Sequence, residues 1–72
     1  EVYKFLKSEA EADRNKALAS VELLTNNPAG IGDHSTKDYW GNCTEALKLL
    51  ASSEERLETL EKYFKPKGQV NG

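Results

Sequence analysis

Along residues 2–25 apolar side chains recur every three or four positions, at Val2, Phe5, Leu6, Ala10, Ala17, Leu18, Val21 and Leu24, with no Gly or Pro among them. That is the period of one face of an α-helix. The middle of the stretch, KSEAEADRNK, is almost wholly polar, and Ala10 and Ala12 are its only apolar residues. Alanines at that waist would admit a second helix at close range. Asn26, Asn27 and Pro28 end the pattern, because Pro has no N–H and pushes the residue before it out of helical geometry.

Ser35 is placed to cap a second helix, and Asp38 three residues on suits its positive N-terminal end. From there the positions 39, 43, 46, 50, 53, 57, 60 and 64 hold Tyr, Cys, Ala, Leu, Ser, Leu, Leu and Phe. Steps of four and three alternate along this stripe, as in a heptad repeat, and Trp40 and Leu47 widen it on one side. Glu58–Lys62 and Glu61–Lys65 add charge pairs in the favourable order. The segment ASSEE at 51–55 has the form of an internal capping box. The heptad phase runs through it unbroken, which predicts one continuous helix. Pro66 stops the pattern, and KPKGQVNG reads as a disordered tail.

Two long helices joined by about ten residues predict an all-α fold, an antiparallel helical hairpin over 1–65, with helices at about 2–25 and 36–64, a loop at 26–35 and a tail at 66–72. Pairing about the loop sets Leu18, Val21 and Leu24 near Tyr39, Trp40 and Cys43, and Val2, Phe5 and Leu6 near Leu57, Leu60 and Phe64. The centre, with Leu47 and Leu50 facing Ala10, Ala12 and Arg14, is underfilled. Leu23 and Leu49 fall off the main stripe. A chain this short generally needs a disulfide, a metal or a partner for stability. Its single Cys excludes an internal disulfide and points to a reducing compartment, and one His with one Cys falls short of a structural zinc site. No cofactor is expected. Self-association remains, and the hairpin is expected to assemble into a homo-oligomeric helix bundle, a four-helix bundle in the dimer.

The chain is 38% hydrophobic and 31% charged with a net charge of -2. No apolar run reaches the ~18–20 residues of a membrane span, so a cytoplasmic protein with no membrane partner is expected. The acidic balance, with no clustered Lys/Arg face, argues against nucleic acid as a partner, including the RNA binding known for Rop-type hairpin dimers.

The segment NNPAGIGDHSTKDYWGNC, residues 26–43, contains the only His, Trp and Cys of the chain. It fails as a P-loop, since Gly32 is followed by Asp33, and as a dinucleotide fingerprint, since Ser35 stands where the third Gly belongs. What survives is more general. Gly30 and Gly32 can expose backbone N–H groups just ahead of a helix N-terminus carrying Ser35 and Thr36, a setting that favours an anion. Asp33 and Asp38 oppose this, so an anion would need Lys37, His34 or a neighbouring chain's cations. The plainer reading has glycines shaping a turn, Ile31 plugging the hairpin end and Asp33 or Ser35 capping the helix. Tyr39 and Trp40 suit either a stacked base or the hairpin core. Arg14 either pairs with Glu11 or points into a pocket between subunits. Cys43 reads as a small buried hydrophobe. No set of nucleophile, base and orienting group is visible, so no enzyme activity is expected.

The stretch from Asn26 to Phe64 resembles short accessory proteins of T4-like and cyanobacterial tailed phages, through its GIGDHS loop and its LETLEKYF helix. The resemblance implies a non-enzymatic protein in the cytoplasm of the infected bacterial host. Some such proteins are homo-oligomers that sequester nucleotide immune signals in pockets between subunits. On that footing the chain is expected to bind a small anionic, nucleotide-type ligand with Gly30, Gly32, His34, Ser35, Thr36, Tyr39, Trp40 and Arg14. The alternative is an inhibitor or adaptor that binds a host or phage protein through a helix face, for which Leu23, Leu49 and the waist are the motive.

Overall fold

The computed structural model describes residues 1–26 and 36–66. Helix α1 spans Val2–Asn26 and helix α2 spans Thr36–Phe64, and the two pack against each other as a hairpin. The molecule is elongated, 54 × 19 × 16 Å. Helix α2 runs through Ser52 and Ser53 without a break, as its unbroken heptad phase requires. The fully buried Ser53 hydroxyl donates to the Leu50 carbonyl at 2.9 Å, so it satisfies its own hydrogen-bonding need within the helix. At the start of α1 the Phe5 N–H donates to the Glu1 carbonyl at 2.9 Å. The expected loop and the expected tail lie outside the described residues from 27 to 35 and beyond 66; Asn26, expected in the loop, is the last residue of α1.

The seam between the helices is narrow because its residues are small. Ala10 and Ala17 of α1 are fully buried, and Ala46, Ser53 and Leu60 of α2 join them. These are positions seven apart on each helix, so small side chains meet at every second turn and the axes approach closely. The α2 stripe behaves as its pattern implies: Tyr39, Cys43, Leu50 and Leu57 are half-buried between the buried positions, and only Phe64 at its end is exposed.

The α1 stripe differs from its pattern. Val2 (72% exposed), Phe5 (63% exposed), Leu6 and Leu18 lie outside the seam. In their place Tyr3, Lys7 and Arg14 are half-buried, in phase with Ala10, Ala17, Val21 and Leu24. The long stems of Lys and Arg cover apolar surface while their charges reach water. Ala12, expected at the waist, is exposed; Ala17 supplies the second small contact instead.

Candidate functional site

The turn end of the hairpin is held by Tyr39. Its hydroxyl donates to the carbonyl of Leu24 at 3.1 Å, tying the first turn of α2 to the last turns of α1. Its ring meets that of Trp40 edge to face, with centroids 4.9 Å apart and planes at 69°. Burial, and after it the neighbouring Cys43, push the Tyr39 phenol above the usual tyrosine range. Tyr39 is therefore a structural donor that keeps its proton. Trp40, by contrast, is 61% exposed and free to offer a flat face.

Of the residues expected to form a ligand site, Tyr39 and Trp40 are brought together, and Thr36 opens the same helix. Gly30, Gly32, His34 and Ser35 lie outside the described residues. Arg14 is half-buried and sits ten residues before Leu24 on α1, about 15 Å along the axis from the carbonyl that Tyr39 holds. Within one chain it stands apart from the turn.

Two apolar surfaces flank the seam, and they differ in character. On one side, Trp40 and Leu47 (61% exposed) are seven residues apart on α2, one position past the seam stripe. Leu18 (49% exposed) is one position past Ala17 on α1, so a rotation of about 100° per residue turns all three to the same side. They form a compact patch next to the turn.

On the other side a shallow groove runs the length of the hairpin. Toward the turn it is lined by Leu23, Leu24 and Leu49 with Lys16 and Glu45. Further along it is lined by Leu6, Leu60 and Arg56 with Glu9 and Glu55, and at the open end by Val2, Leu6 and Phe64. Most residues here, among them Val2, Leu6, Glu9, Lys16, Leu23, Glu45, Leu49 and Arg56, sit one position before the seam stripe of their helix. Leu23 and Leu49 are the two that the sequence pattern left off the stripe. Arg56 crosses the groove to Asp13 at 3.0 Å and divides its apolar stretches. Neither Arg56 nor Asp13 stood out in the sequence; the available signal was that both precede a seam position by one residue.

Among the described residues no three His, Cys, Asp or Glu side chains are grouped to hold a metal ion, and no helix is long and apolar enough to cross a membrane. No protein-family model, no curated protein and no solved structure matches the chain.

Proposed function

We propose that the chain is a non-enzymatic interaction protein that works as a homo-oligomeric helix bundle and presents the Leu18–Trp40–Leu47 patch to a protein partner. One observation carries this reading: four of the five buried seam residues are Ala or Ser, while Val2, Phe5, Leu18, Leu23, Trp40 and Leu47 are exposed. A hairpin that invests its bulk on its surface gains stability and specificity from what it docks against. Trp40 is the natural anchor, since Trp is among the residues most enriched at interface hot spots and this one is exposed. The setting is the cytoplasm of an infected bacterium, and that part rests on the resemblance of the GIGDHS loop and the LETLEKYF helix. Capture from the host lysate on immobilised chain, beside a Trp40→Ala/Leu47→Glu variant, tests the patch. A protein retained by the native chain and lost with the variant is expected; identical captures overturn the reading.

A second reading, an anionic nucleotide-type ligand at the turn, is favoured by one feature. The exposed Trp40 stands four residues past the N-terminus of α2, with Tyr39 clamped beneath it. A base stacked there would quench the single Trp. Titration of its fluorescence with cyclic nucleotides and ADP-ribose is the test, and an unchanged signal across that panel removes the reading.

A further inference from the structure

We propose that the groove on the side away from Trp40 is covered by a second copy of this chain, turned end for end. The inference rests on the homo-oligomeric reading above and adds to it the face, the direction and the contacting residues. The need for a cover is a matter of area. The chain exposes 5715 Å². A compact monomer of 8.0 kDa exposes about 4,450 Å². The excess of about 1,250 Å² belongs to the whole chain, both flanks of the elongated hairpin included, and it leaves room for an interface of the standard size, roughly 800 Å² per partner.

The pattern of the groove selects the occupant. A two-fold axis lying between two such faces, and crossing the helices at mid-length, lays α1 over the partner's α1 and α2 over the partner's α2, each reversed. With the axis between residues 12 and 13 of α1, Lys16 lies over the partner's Glu9 and Leu23 over the partner's Val2. Stepping by sevens from the Tyr39–Leu24 contact puts Ala17 level with Ala46 and Ala10 with Ser53, so the same axis passes between residues 50 and 51 of α2. Glu45 then lies over the partner's Arg56, and the two Leu49 side chains flank the axis about 4.5 Å apart along the bundle. Leucine meets leucine at the axis, cation meets anion on either side of it, and Leu23 meets the partner's Val2 toward each end. The arrangement brings the two Asp13 residues near the axis, and each is already neutralised by its own Arg56 at 3.0 Å.

A partner laid in the same direction is less well matched. Its axis would run along the hairpin and place α1 over the partner's α2. Lys16 would then face the partner's Glu45, which is also favourable, but Leu23 would face Asn42 and Leu49 would face the Asp13–Lys16 segment. The leucines decide for the reversed copy.

The experiment uses the full chain, with stoichiometry read by sedimentation equilibrium and native mass spectrometry. Lys16, Glu9 and Glu45 are exposed in the hairpin, so their reversal leaves the seam intact. K16E and E9K are each expected to weaken self-association by about tenfold or more, because like charges then face each other twice. Mixed together, the two are expected to form a heterodimer in preference to either homodimer. If K16E instead selects E45K, the copies lie in the same direction; the homo-oligomeric reading then survives and this inference falls. A dimer indifferent to all three reversals likewise overturns the inference alone. A native chain that stays monomeric at millimolar concentration overturns both.

Discussion

Arg56 of α2 reaches across the hairpin to Asp13 of α1, placing Nη2 3.0 Å from Oδ2, although the two residues are 43 positions apart in sequence. The same guanidinium is steadied on its own helix, where Nε donates to the carbonyl and the hydroxyl of Ser52 at 3.3 and 3.2 Å. A fork held on one edge loses less freedom when the other edge binds. Both partners still meet water, with side chains 39% and 29% exposed, so the pair is expected to contribute no more than about 1 kcal/mol. A double-mutant cycle of Asp13→Asn and Arg56→Met, measured by urea unfolding, should give a coupling energy below that ceiling and shrinking with added salt. A coupling of several kcal/mol would mean that the pair is far drier than its exposure indicates.

The alanine seam makes a sharper demand. Ala17 is fully buried between the axes, so Ala17→Leu has to drive three extra carbons into a space set by Ala46. Overpacking of that kind is expected to destabilise by about 1–3 kcal/mol. Ala12→Leu, on the exposed surface of the same helix, serves as the control and should change stability by no more than about 0.5 kcal/mol. Thermal unfolding separates them, since about 1 kcal/mol corresponds to a shift of roughly 4–8 °C in a domain of this size. Equal effects at the two positions would contradict a seam built on small side chains.

These two contacts also show where the sequence was readable and where it was not. The stripe of α2 is legible from Tyr39 to Leu60 because its seam positions are mostly apolar and its phase never slips. The N-terminal half of α1 is not, because Phe5 and Leu6 advertise a face one or two positions away from the one that packs. The true phase there runs through Tyr3, Lys7 and Arg14, whose amphipathic stems carry no apolar signal. Leu23 and Leu49 were visible as misfits, yet only the packed hairpin shows that they line one groove with Arg56 between the apolar ends. A contact such as Asp13–Arg56 depends on the relative height of two helices, which no pattern within either helix encodes. The candidate ligand site was legible only as a list of residue types, of which the structure joins Tyr39 to Trp40 and leaves Arg14 about 15 Å down the axis.

Gly41 sits in the second turn of α2, and a Cβ built on it meets nothing within 4 Å. Neither a close approach nor an unusual backbone conformation requires a glycine at this position. Its presence weakens the helix where Tyr39 and Trp40 are displayed, since glycine loses more freedom on folding than any other residue. Gly41→Ala is therefore expected to stabilise the hairpin by about 0.5–1 kcal/mol, seen as a rise in the urea midpoint with an unchanged slope. A loss of stability would reveal a constraint on this turn that the isolated hairpin does not contain, such as a partner or a second copy lying against Gly41.

Tyr39 sets the last expectation, because its hydroxyl works as a donor only while protonated. Burial, then Cys43, raise its ionisation above the ordinary tyrosine value of about 10. A group whose folded pKa is raised contributes stability that is complete below its unfolded pKa and fades as pH climbs through the folded one. Tyr39→Phe removes both the bond to Leu24 and this dependence. At about pH 8 the variant should be less stable by about 0.5–1.5 kcal/mol, the usual net worth of one hydrogen bond. As pH rises beyond about 10, the native chain has to give up the phenolic proton or resist doing so, and the difference between the two proteins should narrow. Urea unfolding at about pH 8 and about pH 11 measures the gap directly. A gap that stays constant would show that the Tyr39 proton plays no part in closing the turn end of the hairpin.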